Sequence, residues 1–154
     1  MLILILAGVA AMQSPDHLPP DCTQAANTPE INACATRDLR RETERMERYL
    51  TVARRTADNL DGANAEDGSR SSQRAHLDNA QLVWRAYADI VCGGVYEKWA
   101  RGSVRTAAAL RCRIDMTRER THVVWRNYLV YVDSTPPVLP EPLRPASEEL
   151  QSEE

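Results

Sequence analysis

The stretch WRAYADIVC, residues 84–92, carries Trp84 and Tyr87 about one turn apart and ends on a cysteine. Trp84, Ala88 and Cys92 recur at intervals of four, which sets them in line along one side of a helix. Two readings compete. Either a reactive thiol closes an aromatic stripe, or the stripe is core and the thiol is half of a crosslink.

The other cysteines favour the crosslink. Cys22, Cys34, Cys92 and Cys112 form an even set, and the chain starts MLILILAGVAAMQS, apolar from Leu2 to Ala11. That run is shorter than the roughly 20 residues a membrane span needs. It has the length of a signal-peptide core, with Val9 and Ala11 as small residues for cleavage before Met12, although no Lys or Arg precedes it. Residues 1–11 are therefore expected to be a signal peptide and residues 12–21, with three prolines, a linker. LPPDC lacks the small residues that precede a lipid-modified cysteine, so no anchor and no membrane insertion after cleavage is expected.

An exported chain with four cysteines points to two disulfides. Zinc is disfavoured, because there is no C-x-x-C pair and no histidine at ligand spacing from a cysteine. A Cys–His nucleophile would need one thiol left free. Three connectivities are possible. Cys22–Cys34 with Cys92–Cys112 is the most economical, and each bridge would add about 3 kcal/mol by loop entropy.

With 154 residues the chain fits one domain, and without phenylalanine its three Trp and five Tyr must furnish the aromatic core. From Asp21 to Asp133 there are 18 basic and 16 acidic side chains; from Ser134 onward one Arg faces five Glu. A near-neutral body with an acidic tail lacks the basic footprint of a nucleic-acid binder.

Periodicity supplies the elements. Thr28 is the expected cap of a first helix, with Pro29 at its first position and a stripe from Ile31 through Leu39, Met46 and Leu50 to Leu60. The polar run DGANAEDGSRSS from Asp61 reads as a loop. A second helix begins near Ser71 or Ser72 and stops at Gly93 and Gly94, with Leu77, Ala80, Trp84, Tyr87, Ala88 and Val91 inward. The apolar turn VYEKWARGS follows, and Ser103 is the expected cap of a third long helix from Val104 to Val132. The expected fold is an all-α, disulfide-stapled bundle of three long helices plus one short helix over residues 22–133. Residues 134–154, rich in Pro and Glu, are expected to be a disordered tail.

The ordered set Cys22, NAC ending at Cys34, Ala35, Leu39, Tyr49, Gln81, Trp84, Tyr87, Cys92, Gly102, Ser103, Cys112, Thr117 and Arg120 resembles the lysozyme inhibitor LprI N-terminal domain family of small exported bacterial proteins. The four cysteines with W-x-x-Y carry the specificity. The chain departs from the pattern at Ala88, where members often have Arg, and at RMERY, where an Asn is common. The resemblance implies a helical, disulfide-bonded envelope protein, periplasmic or secreted, and one line of the family is described as inhibiting lysozyme.

The expected function is an exported envelope binding module, in its sharper form a lysozyme inhibitor that occludes the glycan cleft. The alternative is a structural or envelope-stress protein with another partner. The segment from Gly93 to Ser103 offers Tyr96, Lys98, Trp99 and Arg101 as partner-binding residues, braced by a disulfide. Trp84, Tyr87, Gly102, Ser103, Thr117 and Arg120 are expected to be structural, Arg120 as a bridge between helices. No enzyme, cofactor or metal is expected. Glu42, Glu44 and Glu47, like Asp115 and Glu119, read as solvated surface interleaved with Arg. His17, His76 and His122 have no visible nucleophile partner.

Overall fold

A computed structural model describes residues 21–68, 70 and 72–142. The expected signal peptide, nearly all of the linker and residues 143–154 lie outside the described residues. Three helices, α1 (Thr28–Glu66), α2 (Gln73–Lys98) and α3 (Arg105–Tyr128), form an up-down-up bundle with no strand among the described residues. Arg54 meets Asp78 and Glu47 meets Arg85, so α1 and α2 run antiparallel. Arg113 meets Asp89 and Arg118 meets Glu42, which brings α3 back beside α1, its most extensive neighbour.

The helix ends differ from expectation, each for a local reason. Asn27, not Thr28, caps α1: its Oδ1 accepts from Glu30 N at 3.0 Å, and the Glu30 carboxylate accepts from Ala26 N at 3.0 Å. α1 continues through the polar run to Glu66. On that extra turn the Asp61 carboxylate accepts from Gln73 N at 2.8 Å and Arg74 N at 3.0 Å, so it caps α2 from a distance. Ser72 makes no side-chain cap bond. Gly68, at φ 77°, turns the chain between them.

Gly93 and Gly94 do not end α2, which runs on to Lys98. Their backbone stays helical because half-buried Val95 and Tyr96 anchor the following turn. Only six residues then remain before α3, so no fourth, short helix forms among the described residues. Ser103 does not cap α3, which starts after Val104 and stops at Tyr128.

The core joins Met46, Tyr49, Leu50, Ala53, Leu77, Val124 and Leu129, with Trp84 and Trp125 packed against it. The buried line of α2 is Leu77, Gln81, Ala88 and Cys92. Tyr87, expected inside, is 58% exposed. Gln81 takes an inner place because its amide serves two neighbours: Nε2 lies 3.7 Å from Met46 Sδ, and Oε1 accepts from Arg120 Nε at 2.9 Å. Glu42, expected in solvent, is buried between Arg45 (3.0 Å) and Arg118 (3.3 Å).

Residues 134–142, expected to lie in a disordered tail, are strapped back over the bundle to Pro142. Val138 N donates to Leu129 O (2.9 Å), Trp125 Nε1 to Leu139 O (2.8 Å) and Tyr49 Oη to Pro140 O (2.8 Å). His122, buried against Trp125, places Nε2 3.1 Å from Glu141 Oε1. Pro142 is buried.

Candidate functional site

Both disulfides sit at the end of the bundle where α1 begins and α2 gives way to α3. Cys22–Cys34 ties the entering chain to α1, with Cα atoms 5.7 Å apart, and Cys92–Cys112 ties α2 to α3 at 5.6 Å. No cysteine is free. The chain around Cys22 and Ile31 lines a shallow cleft with Ala107 and Ile114 of α3, so the first bridge also lies against the third helix.

The second bridge braces the turn between α2 and α3. Within it, Trp99 N donates to Tyr96 O (3.2 Å), Ala100 N to Glu97 O (3.0 Å) and Gly102 N to Trp99 O (2.8 Å). Arg105 closes the turn from the far side: Nη1 donates to Ala100 O at 3.0 Å, and the guanidinium lies 4.9 Å over the Tyr96 ring.

Of the four candidate contact residues, three share the tip. Lys98 and Arg101 are exposed, and Trp99 keeps 46% of its surface in solvent. Tyr96 is half-buried on the last turn of α2 beneath Arg105, so it supports the turn rather than presenting a free ring. An exposed indole flanked by two cations on a pinned turn has the makings of an interface anchor, because little conformational freedom remains to be lost on binding.

The residues expected to be structural divide. Thr117 is buried and its Oγ1 donates to Arg113 O at 2.7 Å. Arg120 bridges α3 to Gln81 of α2, and burial pulls its pKa down from the ordinary arginine value. Trp84 packs on the core, and Gly102 is part of the turn. Tyr87 and Ser103 face solvent.

Sequence reasoning missed Arg105, Glu42 and the strap. Glu42 had a readable signal: it falls in the gap of the α1 stripe between Leu39 and Met46. Arg105 had none, since a cation over a ring one helix away follows only from the turn's path. The strap leaves a half-open cleft of about 570 Å³ beside α1, lined by Arg45, Arg48, Tyr49, Val52, Leu139 and Glu141 among others. Among the described residues no three His, Cys, Asp or Glu could hold a metal ion, and no helix is long and apolar enough to cross a membrane.

A family model described as "Lysozyme inhibitor LprI" matches residues 21–123, about two thirds of the chain. The match runs from just before the first disulfide, across the braced turn, to within five residues of the end of α3. No curated protein and no solved structure matches the chain.

Proposed function

The chain belongs to the lysozyme inhibitor LprI family, and from that premise we propose that it is an exported protein that binds a lysozyme and blocks its glycan cleft with the turn between α2 and α3. The family is one of inhibitors, not of enzymes. Two disulfides with no free cysteine support an oxidising compartment, periplasmic or secreted.

The observation that carries the proposal is the exposed group Lys98, Trp99 and Arg101 where α2 turns into α3, between two helices tied together by the Cys92–Cys112 bridge. Lysozymes cleave glycan with two carboxyl groups on either side of the scissile bond. A flat indole has the shape to occupy the place of a sugar ring, and Lys98 and Arg101 supply charge opposite to those carboxylates. Because Arg105 and the bridge already hold the turn, binding orders little new chain.

Titrating the oxidised mature chain into a turnover assay with several lysozyme types tests this. Inhibition is expected at micromolar chain or below. W99A should weaken it about 30-fold, the loss of one interface anchor worth about 2 kcal/mol. K98A/W99A/R101A should abolish it with helicity and disulfides intact. Undiminished inhibition by the triple variant would remove the turn from the contact. No inhibition of any type by the wild-type chain would leave a structural or envelope-stress role as the better reading.

A further inference from the structure

The turn between α2 and α3 is a small contact. An aromatic side chain covers at most about 250 Å², and Trp99 has already given more than half of its surface to its own chain. With Lys98 and Arg101 the tip stays short of the roughly 800 Å² per partner of a standard interface. A contact that holds a lysozyme must therefore spread from the tip onto neighbouring surface.

Clefts lie on both faces of the start of α3. The one beside the first disulfide shares no residue with the turn. The other is an open cleft of about 410 Å³ between α2 and α3, and Tyr96 lines it. Tyr96 is also the support of the turn: its carbonyl accepts from Trp99 N, and its ring carries the Arg105 guanidinium. Cleft and tip thus meet at one residue.

The lining of this cleft is apolar where it is not already paired. Leu39, Tyr96 and Leu110 stand half-buried around it, and Cys92 ties its α2 wall to α3 through the second bridge. Its acid and its base, Asp89 and Arg113, bind each other, so neither is left for a charged guest. Gly93 belongs to the α2 wall. It is helical and exposed, and nothing lies within 4 Å of where its Cβ would be. A glycine weakens a helix, and Gly93 has no positive φ that would call for one. Its effect is to leave that wall bare.

We propose that this cleft is the second half of the lysozyme contact and receives an uncharged, apolar side chain from the rim of the enzyme's glycan cleft. The inference rests on the reading of the turn as the inhibitory contact, and deepens it. While Trp99 enters the enzyme's groove, the rim beside that groove meets the flank of the turn, where this cleft opens. An apolar anchor in a well-packed pocket is where binding energy concentrates. Because the bridge joins the two walls, the pocket is formed before the partner arrives.

Filling the cleft from its own walls tests this, in a turnover assay with a lysozyme that the wild-type chain inhibits. G93L adds a side chain to the α2 wall, and T106L enlarges the α3 wall. Each should weaken inhibition about tenfold or more, mainly through faster dissociation, with the urea midpoint of G93L unchanged or raised. G94A also removes a glycine from α2, but Gly94 is outside the lining, so this variant should inhibit within about twofold of wild type. If W99A weakens inhibition while either G93L or T106L stays within about twofold of wild type, the turn is the contact and the cleft is not. A loss by G94A equal to that by G93L would place the fault in α2 itself, which also overturns the proposal. If the wild-type chain inhibits no lysozyme, the reading of the turn falls and this inference falls with it.

Discussion

Glu42 shows how one residue can stabilise a bundle while looking like surface. It sits on the inner side of α1, its side chain 7% exposed, between Arg45 of the same helix and Arg118 of α3. Truncating one partner of a buried ion pair costs about 3–5 kcal/mol when the other is stranded. Here Arg45 and Arg118 keep about a quarter of their surface in water, so each can turn outward. E42A is therefore expected to cost about 2 kcal/mol, read from the urea midpoint. E44A, whose carboxylate meets Arg40 at 3.8 Å with both side chains mostly exposed, should stay within about 0.5 kcal/mol. Equal midpoints for the two variants would mean that the buried pair contributes nothing to folding. Residue by residue, the sequence could be read where chemistry agreed with position, as at Leu50, Ala53 and Leu77. It misled where they disagreed. Glu42 is a charge in an apolar register, and Tyr87 is an aromatic on the open side of its helix.

At the scale of the element, the three helices were legible from their apolar period, and their ends were not. A helix end depends on which partner satisfies its last backbone groups, and such partners are often distant in sequence. Asp61 illustrates this: DGANAEDG looks like a loop until the chain returns and offers the N–H groups of Gln73 and Arg74 to that carboxylate. D61A is expected to cost about 1 kcal/mol, the usual loss of a capping side chain, and to increase amide exchange in the first turn of α2. Slowed or unchanged exchange there would contradict the remote cap. The same pair of helices gives a pH dependence. Hydrogen bonds from Arg54 and Arg74 hold the Asp78 carboxyl below its ordinary value. A group whose pKa is depressed by folding adds stability above its unfolded pKa, about 3.9, and loses it as pH falls through the folded value. D78N should thus be less stable than wild type near pH 7, and the difference should shrink in acid as the wild-type carboxyl protonates. A gap that stays constant down to about pH 2 would show that the charge of Asp78 is not what joins α1 to α2.

For the whole molecule, the question is how a chain with few large side chains inside remains folded. Its interior includes Ala53, Ala57 and Ala88, and its aromatic rings lie mostly at the margins of the core. The strap adds Leu139 and Pro142, a contribution that could not be read from a Pro-rich segment because hydrogen bonds to its carbonyls leave no periodic trace. The cysteines, in contrast, announced their role by their even number behind an expected export signal. Each bridge is expected to contribute about 3 kcal/mol by limiting the unfolded chain, against a total of about 5–15 kcal/mol for an ordinary domain. C22S/C34S and C92S/C112S should therefore lose similar stability in urea, since their sequence separations of 12 and 20 close loops of comparable entropy. Their effect on function should differ. Only the second bridge fixes the turn that carries Trp99, so C92S/C112S should inhibit lysozyme at least tenfold less well than C22S/C34S under conditions where both are fully folded. If both double variants inhibit equally, the braced turn does not act through its rigidity, and the bridges serve stability alone.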